Sequence, residues 1–208
     1  AVARKYGCRV LAAEPVPTLA KALEGRDPLV VVHPVAVGGE SGSTSITYDL
    51  GKDKTGSILG LSVVGGLLNE DATRQVSTVE MKSLEAFLSL ATEGTVDLLK
   101  VDIEGAELDV FEKASDSVLQ RCRQITVEFH DFWYPELTVR TEAVKQRLVA
   151  AGFELIRFTP NNKDVLFVNR KLLPLSLPQI LVLRYLTRNV MGFGRMCRLY
   201  SRRLLGRA

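Results

Sequence analysis

Short β-type runs alternate with helix-length amphipathic segments over the first 170 residues, and this alternation restricts the fold more than any other feature of the chain. A sequence of this kind lays its strands side by side and uses the helices as crossovers, which predicts a parallel α/β sheet rather than a sandwich or a bundle. Arg9–Glu14 reads as a buried strand closed by an acid. Pro15 and Pro17 then open a short helix, Thr18–Glu24, which Gly25 stops. Leu29–Val32 and Val35–Val37 form a strand region broken by His33-Pro34 and ended by Gly38-Gly39. Residues 40–75 alternate weakly and then become rich in Gly and Ser, as in a hairpin and a mobile loop. Leu84, Phe87, Leu88 and Ala91 keep the spacing of one helix face, with Gly94 as the stop. The pattern then gives a strand over Val96–Ile103, a helix over Ala106–Lys113, a strand over Gln124–Phe129 and a helix over Thr138–Ala151 stopped by Gly152. Two strands, Phe153–Phe158 and Val165–Asn169, close the series around the turn-forming stretch Pro160–Asp164.

The 208 residues allow one good core and a short extension, so two enzymatic domains are excluded. Residues 1–170 are read as the domain and 171–208 as a basic extension. That extension holds eight basic residues and no acid, whereas the remainder holds 19 basic against 24 acidic residues. The globular part is therefore mildly acidic, which disfavours nucleic acid as its partner. Cys8, Cys122 and Cys197 are odd in number and widely spaced, which suggests neither a disulfide framework nor a zinc site and makes a reducing cytoplasm the default. No uncharged stretch reaches the ~18 residues of a spanning helix. The chain opens at Ala1, inside what reads as a helix, and so looks like a fragment of something longer.

Ligands of open α/β sheets sit outside the carboxyl ends of the strands, and three strand ends here carry suitable side chains. Glu14 ends the first strand, where a carboxylate can accept hydrogen bonds from both hydroxyls of a ribose, although a single acid here more often serves as a helix N-terminal acid. Asp102 and Glu104 follow a buried strand, with Gly105 allowing a tight turn. Two carboxylates so close repel unless a cation or hydrogen-bond donors intervene, so they can attract a cationic centre, bind a hard metal or favour the next helix. Glu107 reads as an ordinary first-turn acid. Glu128, His130 and Asp131 end a third strand. His130 has the acid–base range of a general base, though a lone histidine is more often structural. His33 reads as a strand-end packing residue.

The blocks Tyr6–Pro17, Pro34–Gly38, Asp97–Glu107, Ile125–His130 and Asp164–Asn169, in this order and spacing, resemble the FkbM family of S-adenosylmethionine-dependent methyltransferases over roughly residues 5–170. Lys100-Val-Asp-Ile-Glu-Gly-Ala-Glu107 is the most specific piece, and Glu14-Pro-Val-Pro17 supports it. The resemblance implies a Rossmann-like class I methyltransferase sheet and methyl transfer to a hydroxyl of a sugar, glycan or secondary metabolite. It implies that Glu14 holds the cofactor ribose, that the Val35–Gly38 turn, with Ala36 and Val37, lies near the adenine, and that Asp102 and Glu104 border the transfer centre. No metal ligand set is assigned.

An aliphatic hydroxyl must lose its proton as it attacks the methyl group. His130 is the first choice of base and Asp102 the second, with Glu128 beside them. Methyltransferases of this family begin with a strand and glycine-rich turn upstream of the position of Tyr6-Gly7, and the sheet is expected to be incomplete at its N-terminus. The 208 residues alone are accordingly expected to bind cofactor poorly. A nicotinamide oxidoreductase is disfavoured, since Gly-x-Gly-x-x-Gly is missing and Asp102–Glu107 is foreign to it. The non-enzymatic alternative is an inactive domain of this fold serving as a membrane-associated binding module.

In the extension, Leu183, Leu186, Val190, Phe193, Cys197, Tyr200 and Leu204 recur every three or four residues. Arg184, Arg188, Arg195, Arg198 and Arg202 fall on the opposite face. Such a helix suits an anionic membrane surface, which would make a cytoplasmic protein peripheral to a membrane. Packing on its own domain or in a coiled coil serves the same pattern equally well, and Gly192 and Gly194 weaken a long straight helix.

Overall fold

The computed structural model describes residues 2–49, 74–91, 94–103, 105–131, 134–157 and 164–187. Glu104, the Gly/Ser-rich loop, most of the Pro160–Asp164 turn and the arginines from Arg188 onward lie outside the described residues. The chain divides into two units, Ala1–Gly94 with Asp102–Leu119, and Thr95–Val101 with Gln120–Ala208.

The first unit opens with α1 (Val2–Tyr6), β1 (Val10–Ala13), α2 (Pro17–Leu23) and β2 (Val30–His33). β1 and β2 pair in parallel from Val10 opposite Val30 to Ala13 opposite His33, with α2 as the crossover. Proline starts α2 because the first helical amides lack partners in any case. A second sheet follows: β3 (Ala36–Gly38), β4 (Gly42–Asp49) and β5 (Arg74–Ser83), in the order β3-β5-β4. β4 and β5 run antiparallel from Gly42 opposite Met81 to Asp49 opposite Arg74, so the return strand lies almost wholly beyond the 40–75 range in which the hairpin is expected. Alternate residues of this ribbon and the α2 entry meet in one cluster of Val16, Ala36, Ile46, Tyr48 and Val79, flanked by Leu19 and Met81. α3 (Leu84–Leu88) begins at once after β5, its first turn capped by Ser83 Oγ, which accepts from the Ala86 amide at 3.2 Å. α4 (Glu107–Lys113) and the four-residue α5 (Asp116–Leu119) complete the unit. α4 approaches the turn after β3 so closely that a Cβ on Gly39 would stand 3.0 Å from the Asp109 carbonyl oxygen. Lys113 pairs there with Glu40.

The second unit is a four-stranded sheet of β6 (Leu99–Val101), β7 (Gln124–Glu128), β8 (Phe153–Arg157) and β9 (Asp164–Asn169), with α6 (Thr138–Ala150) between β7 and β8. Its order is β6-β7-β9-β8. β6 and β7 are parallel, Leu99 opposite Ile125 and Val101 opposite Val127, and β9 runs antiparallel to both β7 and β8. The sheet is thus mixed, its one parallel pair followed by the two closing strands joined through the expected turn. The reason is the connection, since the six residues between Arg157 and Asp164 can close an antiparallel pair but are too few for a parallel crossover. β7 buries Ile125 and Val127, β9 buries Val165, Phe167 and Val168, and α6 turns Thr141, Val144, Lys145 and Leu148 inward. α7 (Leu177–Leu181) runs on into a π-helical stretch, Val182–Thr187. No helix among the described residues is long and apolar enough to cross a membrane.

Asn169 ties this sheet to the chain entering it. Its side chain is fully buried; Nδ2 donates to the Cys122 carbonyl at 3.1 Å and the Gln120 carbonyl at 3.2 Å, while Oδ1 accepts from the Lys171 amide at 3.0 Å. Cys122 is equally enclosed, and burial pushes its thiol up to about 11. Asn169→Ala strands these buried partners, so urea unfolding is expected to show a loss of about 1–3 kcal/mol for each group left unpaired. In the native protein Cys122 is expected to resist alkylation at neutral pH until the chain unfolds, checked by mass spectrometry of the modified peptides.

Candidate functional site

In the first unit, Glu14 follows β1 directly, and its amide donates to the His33 carbonyl at 3.0 Å, extending the β1–β2 ladder by one bond. Glu14 is half-buried, and its Oε1 accepts from the Val16 amide at 2.9 Å. Burial raises its pKa above 4.5, and the Val16 hydrogen bond offsets part of that rise. One oxygen is therefore fixed by the turn into α2. Oε2 has no hydrogen-bond partner among the described residues, and a carboxylate so held can accept from a ligand hydroxyl. His33 packs edge-on against Phe87, with ring centroids 6.2 Å apart, in the packing role its sequence context suggests.

Ala36 and Val37 lie in β3 itself rather than in a turn, Ala36 opposite Met81 and Val37 opposite Lys82. The turn comes later, at Gly39. Because neighbouring residues of a strand face opposite sides, the Ala36 methyl enters the apolar cluster while Val37 is half-buried on the other face.

Asp102 is exposed and begins the turn into α4. Glu107 organises that turn. Its carboxylate is buried and accepts from the Ile103 amide at 3.0 Å and from the Gly105 amide at 3.1 and 3.2 Å. Gly105 sits at φ +104°, where a side chain is strained. Sequence reasoning treated Glu107 as an ordinary helix acid. Its distance from Gly105 was the available signal, because a carboxylate in the first turn can reach back to the amides that precede its own helix.

In the second unit, Glu128 ends β7, half-buried, and His130 follows it, buried. A carboxylate oxygen of Glu128 and a ring nitrogen of His130 lie within 4.8 Å of each other. The parallel register places Val101 beside Val127 at the same sheet end. Behind β7 stands Lys145, with only 2% of its side chain exposed. Its Nζ is 2.8 Å from Glu142 Oε1 and 5.2 Å from the centre of the Phe129 ring, so an ion pair within α6 fixes the ammonium that makes a cation–π contact with the residue before His130. Lys145 was missed in the sequence, although it shares the inward helical spacing of Thr141, Val144 and Leu148.

A separate cleft of about 380 Å³ lies between α6, β8 and the π-helical stretch, lined by Val149, Phe153, Leu155 and Tyr185 among others; it contains none of the expected catalytic or cofactor residues. Arg184 borders it and pairs with Glu154, a partly buried acid of β8.

The family described as the methyltransferase FkbM domain matches residues 1–155. The curated AMB antimetabolite synthetase AmbE of Pseudomonas aeruginosa is 27% identical over 103 residues, covering 50% of this chain and 5% of that protein. The chain thus spans about a twentieth of the length of that relative. No solved structure matches.

Glu107→Ala leaves the Ile103 and Gly105 amides without their acceptor, and denaturant unfolding is expected to show about 1.5–3 kcal/mol of lost stability, the range of hydrogen bonds to charged groups. Glu14→Gln is expected to act in the opposite direction. A carboxyl whose folded pKa is raised favours folding below its ordinary 4.5, and that contribution is lost as pH rises through the folded value. The variant should therefore gain stability relative to the parent at neutral pH and lose that advantage in acid, as melting temperatures across the range would show.

Proposed function

From the membership of this chain in the FkbM methyltransferase domain family, we propose that it is an S-adenosylmethionine-dependent O-methyltransferase acting on a hydroxyl of a sugar, glycan or secondary metabolite. The family match over residues 1–155 carries this reading. The name of the AmbE relative, an antimetabolite synthetase, favours a metabolite under assembly as the acceptor. The β6-β7-β9-β8 order, with the last strand inserted antiparallel, supports a Rossmann-like class I methyltransferase sheet.

The chemistry of the donor set fits the cofactor. When bound, S-adenosylmethionine supplies an activated methyl group on a sulfonium. The Glu14 carboxylate, with one oxygen held by Val16, accepts hydrogen bonds from the ribose hydroxyls with the other. Val37, half-buried on the face of β3 away from the apolar cluster, would border the adenine, whereas the Ala36 methyl belongs to that cluster. Asp102 and Glu104 favour the cationic end of the cofactor, and Glu107 holds the amides of Ile103 and Gly105. His130 takes the proton from the acceptor hydroxyl, and Glu128 favours the imidazolium that results. Lys145 is a positioning residue that acts on His130 through Phe129.

The test is transfer of label from S-adenosyl[methyl-³H]methionine to a panel of hydroxylated metabolites and sugars by the polypeptide as its source produces it. Label should reach at least one acceptor. His130→Ala should then lower turnover by about 10²–10⁴-fold, the usual contribution of a general base, with cofactor affinity retained. Full turnover by His130→Ala would remove the base assignment, and absence of transfer together with absence of cofactor binding would remove the enzymatic reading. Glu14→Gln should instead weaken cofactor binding in calorimetry without loss of stability.

A further inference from the structure

The helical segment Leu177–Thr187 has one side docked and the other bare. Pro178 and a side-chain cap set its start, with Gln179 Oε1 accepting from the Ser176 amide at 2.8 Å and from Ser176 Oγ at 2.9 Å. Ile180 is buried, Leu183 is half-buried and Arg184 pairs with Glu154, so these residues fasten the helix to β8. Leu177, Leu181 and Tyr185 follow at intervals of four residues and are 74%, 56% and 62% exposed. Large apolar side chains repeated along one helical stripe are costly to leave in water, and a stripe of this kind marks a contact surface.

The sequence that follows indicates what meets the stripe. Residues 188–208 contain Arg188, Arg195, Arg198, Arg202, Arg203 and Arg207 and no acidic residue, among apolar residues such as Phe193, Tyr200 and Leu204. An apolar stripe running into an acid-free arginine segment is complementary to a surface that is apolar within and anionic at its face. A tyrosine on the stripe suits the depth of lipid headgroups. We infer that Leu177–Thr187 and the arginines after it bind the surface of an anionic lipid bilayer. Arg184, which sequence spacing would place at the headgroups, instead anchors the helix internally; the lipid charge is met by the arginines beyond it. The contact is peripheral, and it would hold the enzyme beside acceptors that reside in or near the membrane.

Flotation of the full chain with vesicles of phosphatidylcholine alone, and of phosphatidylcholine mixed with phosphatidylserine, tests this inference. At least about tenfold stronger partition onto the anionic vesicles is expected, weakening as salt is raised. Leu181→Glu with Tyr185→Glu should abolish flotation while the melting temperature stays within a few degrees of the parent. If that pair unfolds the chain, exchange of the six arginines beyond residue 187 for glutamine provides the second readout and should remove the preference for anionic vesicles. Equal partition onto both vesicle types, no partition onto either, or a lipid-free dimer that Leu181→Glu converts to monomer would overturn the inference, the last by assigning the stripe to a second copy of the chain.

Discussion

The parallel pairing of β6 with β7 is the constraint on which the rest of the second unit, and the placement of its polar residues, depends. Two parallel strands cannot be joined by a tight turn, so the chain must cross over between Val101 and Gln124, and it does so through α4 and α5. Both strands then deliver their following residues to the same end of the sheet. Val101 and Val127 thus reach one edge by backbone geometry, before any side chain has made a contact. β9, inserted antiparallel beside β7, leaves that edge in place and completes the sheet from the other side.

The described residues bury several polar groups; Thr141 Oγ1 and Arg123 Nε are buried without a hydrogen-bond partner, whereas at three other residues specific partners offset the cost. A buried amide or carboxylate without a partner is destabilising by more than an ordinary hydrogen bond contributes, so such a residue survives only where it satisfies groups that would otherwise be unpaired. Asn169 does this for carbonyls at Gln120 and Cys122 and for the amide of Lys171. Glu107 does it for two amides of the Asp102–Ala106 turn. Lys145 differs, because its stem is enclosed while its ammonium reaches the partly exposed Glu142, which in turn lies 3.7 Å from Arg157. Glu107 and Lys145 shape the surroundings of the strand ends without being expected to touch a ligand, whereas Asn169 acts at the opposite end of the sheet, beside the start of β7.

Helical spacing and glycine stops made the helices legible: α6 runs over Thr138–Ala150 where the pattern predicts Thr138–Ala151, and α2, α3 and α4 fall within a few residues of expectation. The strand ends at Glu14 and Glu128 were legible for a similar reason, since apolar runs closed by acids mark where a buried strand leaves the sheet. Spatial order was not legible, because nothing in the run Asp164–Asn169 records that it inserts between β7 and β8 rather than at an edge. The ten-residue β5 was blurred by exposure: Gln75, Val76, Thr78 and Glu80 face water, so its apolar content is low for a strand. Glu107 and Lys145 were passed over because charged residues are read as surface, and only the amides and ring around them reveal otherwise.

Cofactor recognition at the strand ends is tested most directly by amide hydrogen exchange with and without S-adenosylmethionine. In the polypeptide as its source produces it, saturating cofactor is predicted to slow exchange at Val16, whose amide is held by Glu14, and at Ile103 and Gly105, whose amides are held by Glu107. Exchange at the α6 amides, such as Val144 and Leu148, should change little. Identical exchange at all these positions with and without cofactor would contradict the account.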